Sequence, residues 1–245
     1  MMKKISLFFL ILLFAMINSN ILNAQKTISF FAQDGVLITA DLYLVNDTLP
    51  YMILCHQAES SRGEYLETAL KFCKFRYNCI AVDARSGGEI NHIKNETAIN
   101  AKAKGRPTTY LDAEQDIEAA IDYAYEQNQK KVVLVGSSYS ASLVMKIAVD
   151  NNNVKAVIAF SPGEYFGEKY NLKDSIKALS KPLFVTSTQQ EAAKVGELIQ
   201  DVTSPKKQQF TPSKSGAHGS KALWKETPNR QEYWLALTMF MLSVK

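Results

Sequence analysis

The chain has 245 residues, 47% of them hydrophobic, which is enough apolar material for one sizeable core. Its 28 Lys and Arg against 24 Asp and Glu give a formal net charge of +4, too little to imply a nucleic-acid partner. No segment is internally repeated or of low complexity, which sets aside solenoid and fibrous architectures.

Residues 1–24 read as a cleaved secretory signal. Lys3 and Lys4 form a basic start, Ile5 to Ile17 are apolar apart from Ser6, and Leu22 and Ala24 suit a signal-peptidase site. The apolar run is short for a bilayer span, which needs about 20 residues. Cleavage there predicts a secreted or periplasmic protein starting near Gln25, with no stable membrane insertion; a retained N-terminal anchor is the other reading. Losing Lys3 and Lys4 lowers the formal charge from +4 to +2. Residues 25–245 then fit a single α/β domain.

Thr27–Phe31 and Val36–Leu44 are strand-like runs around Asp34-Gly35, a strong hairpin signal. Tyr51–Cys55 is a short apolar strand, followed by a helix from about Glu64. Cys79–Val82 is the next strand, ending at Asp83-Ala84-Arg85. A long connection, Ser86 to Thr109, rich in Gly, Asn and Lys, then has the length of a functional loop. A helix spans Leu111 to about Gln127. After it come strands at Val132–Val135, Val154–Phe160, Pro182–Thr186 and Gln208–Thr211, a helix through Ala192–Ile199 and a closing helix over Arg230–Val244. Strands alternating with helices predict a mostly parallel sheet covered on both faces, with the opening hairpin at its antiparallel edge. Cys73 and Cys79 can bridge only if their Cα atoms lie within about 7 Å; otherwise the three cysteines are small buried apolar groups.

Chemistry concentrates where the strands end. Val132–Val135 runs into Gly136-Ser137-Ser138-Tyr139-Ser140, then into helical spacing at Leu143, Val144 and Ile147. A serine at a sharp strand-to-helix turn needs small residues two before and two after it, here Gly136 and Ser140. Ser140 stands where the G-x-S-x-G pattern has its second glycine. A serine hydroxyl needs an imidazole to take its proton and a carboxylate to fix the imidazole tautomer. Of the three histidines, His218 lies in a small-residue loop after the last strand and is the candidate base. His56 is a structural loop residue on this reading. The chain order Ser, acid, His leaves Glu191 or Glu164 as the acid, or no carboxylate at all, because Gln190 occupies the usual place. Backbone N–H groups of Gln57 and Tyr139 are the candidate oxyanion-hole donors.

Together LCHQAESSRGEY at Leu54–Tyr65, AVDARSGGE at Ala81–Glu89, VGSSYSAS at Val135–Ser142 and SGAHG at Ser215–Gly219 resemble the α/β-hydrolase superfamily, in its dienelactone-hydrolase-like branch. The resemblance covers nearly all of residues 25–245. It implies an α/β-hydrolase fold and a serine hydrolase acting on a small carboxylic ester or lactone. Ser138 matches the nucleophile, His218 the base, and Gln57 with Tyr139 the oxyanion hole; no cofactor is expected, and the three scattered histidines offer no metal-ligand spacing such as H-x-x-x-H. Asp83 and Arg85 match an Asp-x-Arg turn that is mainly structural, in which Arg85 pairs with Asp83 or backbone carbonyls. Arg62, Glu64, Arg85 and Arg106 are alternatively contacts for a polar substrate. A non-catalytic binding protein on the same fold and a peptidase with the same triad are the competing readings.

Overall fold

The computed structural model describes residues 25–168 and 170–244; the signal-peptide reading of residues 1–24 lies outside them. In chain order the strands and helices are β1 (Gln25–Phe31), β2 (Leu37–Tyr43), β3 (Tyr51–Cys55), α1 (Ala69–Cys73), β4 (Asn78–Val82), β5 (Glu89–Ile90), β6 (Ile93–Lys94), α2 (Glu96–Ala103), α3 (Glu114–Asn128), β7 (Val132–Ser137), α4 (Tyr139–Asp150), β8 (Val154–Phe160), α5 (Leu172–Ser175), β9 (Leu183–Thr186), α6 (Ala192–Ile199), β10 (Lys207–Phe210) and α7 (Arg230–Ser243). Eight strands form one sheet in the order β1-β2-β4-β3-β7-β8-β9-β10. From β4 to β10 every neighbour is parallel, while β2 runs antiparallel to both β1 and β4.

The period-2 alternation of a strand divides the core. Along β3, Tyr51, Ile53 and Cys55 face the layer of α3 and α4, where Ile117, Ile121, Leu143 and Val144 are buried. Met52 and Leu54 face the layer of α1 and α7, against Phe72, Leu237 and Phe240. Because β3, β4 and β7 are covered on both sides, their sequences are continuous apolar runs rather than alternating ones.

Two expectations are corrected. The helix from about Glu64 is a single 3₁₀ turn, Arg62–Tyr65, with α1 starting only at Ala69. Ser61 caps that turn, accepting Gly63 N–H at 3.1 Å, and the Glu64 carboxylate is drawn inward instead of lying along a helix face. The long connection is not structureless either. It holds the β5–β6 hairpin and α2, whose N-terminus is capped by Asn95 Oδ1 accepting Ala98 N–H at 2.8 Å.

Beneath the β2–β4 end lie two buried ion-pair groups. Arg85, which is fully buried, forks onto Asp34 at 2.6 Å and Asp116 at 2.7 Å. Asp83 instead takes Arg62 at 2.6 Å, together with the Arg62 and Glu96 N–H groups. So Arg85 does not pair with Asp83, and neither arginine is free for a substrate. Burial pushes the Asp116 carboxyl up to about 6 although Arg85 draws it down; at Asp34 the Arg85 hydrogen bond lowers it. Cys55, Cys73 and Cys79 are buried free thiols, and Cys73 Sγ donates to the Tyr43 carbonyl at 3.8 Å.

Candidate active site

β7 ends at Ser137 and α4 begins at Tyr139, so Ser138 turns the chain alone. It holds φ 59° and ψ −123°, a conformation that costs a non-glycine residue of order 1–3 kcal/mol. The turn is so tight that a Cβ on Gly136 would lie 2.5 Å from the Ser140 carbonyl oxygen and 2.6 Å from Ala141 Cα. Position 140 is less constrained. The Ser140 side chain is buried and donates to the His56 carbonyl at 2.6 Å, tying the first turn of α4 to the end of β3.

His218 reaches the elbow from the loop after β10. Ser138 Oγ donates to His218 Nε2 at 2.8 Å, and His218 Nδ1–H donates to Glu191 Oε1 at 2.6 Å. The hydrogen assignment follows from the partners: an ionised carboxylate only accepts, so the proton sits on Nδ1 and leaves Nε2 able to accept. Burial disfavours the charge on Glu191, but hydrogen bonds from His218, Ser161 Oγ and Thr188 N–H outweigh it and hold its carboxyl low, at about 2. Ser138 is nearly buried, while the His218 side chain is 42% exposed, so a ligand can reach the imidazole from solvent.

Of the candidate acids, the structure brings Glu191 to His218 and sends Glu164 elsewhere. Glu164 caps α5, accepting Leu172 N–H at 2.8 Å and Lys173 N–H at 2.9 Å. Glu191 is set by a reciprocal pair at the start of α6: its N–H donates to Thr188 Oγ1 at 3.2 Å, and Thr188 N–H returns to Glu191 Oε2 at 3.0 Å. The pair has the Thr-x-x-Glu spacing and reciprocal bonds of a capping box, set in the turn just before α6, a signal present in the sequence that points to Glu191 over Gln190, which is exposed. Ser161, which sequence reasoning missed, also serves the acid: its hydroxyl donates to Glu191 Oε2 at 2.8 Å and accepts Gly219 N–H at 3.1 Å.

Of the two N–H groups expected to form an oxyanion hole, one is engaged elsewhere. Tyr139 N–H is the first of α4 and has no partner within the helix. Gln57 N–H, expected beside it, donates instead to Glu64 Oε2 at 2.9 Å. The next amide, of half-buried Ala58, makes no backbone hydrogen bond among the described residues. His56 is buried and structural: Nδ1 meets the Gln57 carbonyl at 2.7 Å and Nε2 accepts Ala84 N–H at 2.9 Å.

Beside the acid lies a cavity of about 500 Å³, lined by Glu191, Tyr165, Pro162, Val195 and Leu198 among others. Tyr165 Oη donates to the Ser161 carbonyl at 3.0 Å, while Phe166 and Tyr170 pack edge to face. Among the described residues, no group of three or more His, Cys, Asp or Glu is placed to hold a metal ion. None of their helices is long and apolar enough to cross a membrane.

No family model matches the sequence, and no curated protein does. Solved structures do match. An esterase from Pyrococcus furiosus is 16% identical, with a TM-score of 0.69 over 90% of this chain and 91% of that one. An alpha/beta hydrolase from a Penicillium species is 12% identical, with a TM-score of 0.71 over 90% and 99%. A dienelactone hydrolase from Anabaena variabilis is 13% identical, with a TM-score of 0.63 over 89% and 95%. At such identities the likeness is one of fold.

Proposed function

We propose, from the α/β-hydrolase fold that this chain has, that it is a serine esterase acting on small carboxylic esters or lactones through an acyl-enzyme on Ser138. The observation that carries the reading is the unbroken relay from Ser138 Oγ to His218 Nε2 at 2.8 Å and from His218 Nδ1 to Glu191 at 2.6 Å. A non-catalytic scaffold has no need for that spacing.

In the first half-reaction His218 Nε2 takes the Ser138 proton as Oγ bonds to the substrate carbonyl carbon. The charge gathering on the carbonyl oxygen is met by Tyr139 N–H and, in place of Gln57, by Ala58 N–H. Glu191 balances the imidazolium. His218 then protonates the departing alkoxide, and the C–O bond breaks. Water, deprotonated by the same imidazole, attacks the acyl-enzyme and releases the acid with Ser138 restored. The 500 Å³ cavity beside Glu191 suits a substrate of modest size. The residue 1–24 pattern supports a secreted or periplasmic setting for this chemistry.

A fluorophosphonate probe is expected to label the folded protein at Ser138, located by peptide mass mapping. Failure to label would remove the reading. Comparing turnover of a short aryl ester with that of the matching amide separates esterase from peptidase, with the ester favoured. Glu191→Gln should lower kcat by roughly 10³–10⁴-fold, because a neutral amide neither fixes the tautomer nor balances the imidazolium. The pH dependence of stability has a defined sign at this residue. Its folded value, about 2, lies below the ordinary 4.5, so its contribution is full above 4.5 and is lost as pH falls toward 2. In the Gln variant that acid-side loss should flatten, as read by thermal melts across pH.

A further inference from the structure

Glu64 is a carboxylate beneath the site that the reaction above leaves without a task, and it is fully buried. It sits in the turn after β3, and its two oxygens join the two loops that flank the nucleophile. Oε2 accepts Gln57 N–H at 2.9 Å, on the loop that carries Ala58. Oε1 accepts the Ser220 hydroxyl at 2.5 Å, two residues beyond His218 and 156 residues away in sequence. The Glu64 carbonyl also takes the Trp224 indole N–H at 3.0 Å. A buried carboxylate is costly unless donors surround it, so this placement holds the donors as firmly as they hold it.

The other ties of the base loop run elsewhere. Ser220 N–H donates to Ser137 Oγ at 2.9 Å and Gly219 N–H donates to Ser161 Oγ at 3.1 Å, fixing the loop to the elbow strand and to the acid's support. Space there is tight: a Cβ on Gly219, whose φ is +66°, would lie 2.4 Å from Ser137 Oγ and 2.8 Å from Gln57 Oε1. Glu64 links the base loop to the oxyanion loop directly. We propose that Glu64 is a positioning residue that sets the distance between His218 and the oxyanion donors, and so aligns proton transfer with charge stabilisation. The proposal rests on the serine-esterase reading. It also replaces the expectation that Glu64 contacts a polar substrate, since no solvent reaches it.

The hydrogen-bond inventory supplies the test. A glutamine at 64 can keep its oxygen on Gln57 N–H and give its amide N–H to Ser220 Oγ, because a hydroxyl accepts as well as donates. Ser220→Ala cuts the link to the base loop and leaves the Gln57 link whole. Kinetics on a short aryl ester and rates of fluorophosphonate inactivation are measured well below each variant's unfolding midpoint. Ser220→Ala and Glu64→Ala should lose roughly 10²-fold in kcat, the scale of an ångström-level misplacement, and react correspondingly slowly with the probe. KM should stay within about threefold of wild type, while Glu64→Gln recovers most of kcat. If Glu64→Ala does not fold, Ser220→Ala and Glu64→Gln still decide. Folded Ser220→Ala with wild-type kcat overturns the proposal, as does Glu64→Gln impaired as deeply as Ser220→Ala. A wild-type chain inert to both ester and probe would instead sink the esterase reading, and this proposal with it.

Discussion

Alanine at position 138 should lower kcat for ester hydrolysis by about 10⁶-fold and abolish fluorophosphonate labelling, while the protein stays folded. Stability should change little, because alanine inherits the same positive-φ backbone as serine and the Ser138 N–H to Phe160 carbonyl bond at 2.8 Å remains. In the proposed mechanism the hydroxyl and imidazole act as a unit, so His218→Ala should cost nearly as much and the double variant scarcely more than either. Steady-state assays of the three variants, with circular dichroism to verify folding, make the comparison. A Ser138→Ala protein within tenfold of wild type would mean that the bond is broken elsewhere.

Arg85→Ala carries the largest expected loss of stability, about 3–5 kcal/mol, the usual result of stranding a buried charge. For a domain of this size that corresponds to a fall in Tm of roughly 6–20 °C. Arg85 is enclosed between Asp34 and Asp116 at 2.6 and 2.7 Å, so its removal takes away the cation between two carboxylates and leaves buried Asp116 unpaired. The deficit should depend on pH. The Asp116 carboxyl already sits at about 6 in the folded protein against 3.8 ordinarily, so stability falls as pH rises through that interval. Without Arg85 the folded value rises further, and the falling interval extends to higher pH. Melts of the variant should therefore lie nearer to wild type at pH 5 than at pH 8. A constant difference would show that the loss comes from packing alone.

Much of the sheet was legible in the sequence because its central strands are covered on both faces. β3 and β8 begin and end where their apolar runs do. The surface elements were harder. α2 buries little beyond Thr97, Ala98 and Ala101, while Ile99 is half exposed, so its apolar periodicity is faint and Asn95 as a cap is the main trace of it. The site was readable to the extent that its residues follow strand ends: Ser138, His218 and Glu191 all do so. Gln57 was misplaced for a reason no local pattern contains. The direction of its N–H is decided by a carboxylate seven residues on, in a turn read as helix. Arg85 was misread similarly: its partners lie 51 and 31 residues away, and only the folded sheet sets them beside it.

In the proposed relay the hydroxyl, carboxylate and imidazole stand at positions 138, 191 and 218 of the chain. Translation therefore delivers the hydroxyl early and the proton acceptor late. A nascent or truncated product ending before residue 218 carries the serine without the imidazole that would activate it. On the proposed reading an incomplete chain is therefore expected to stay chemically quiet until that imidazole has been made.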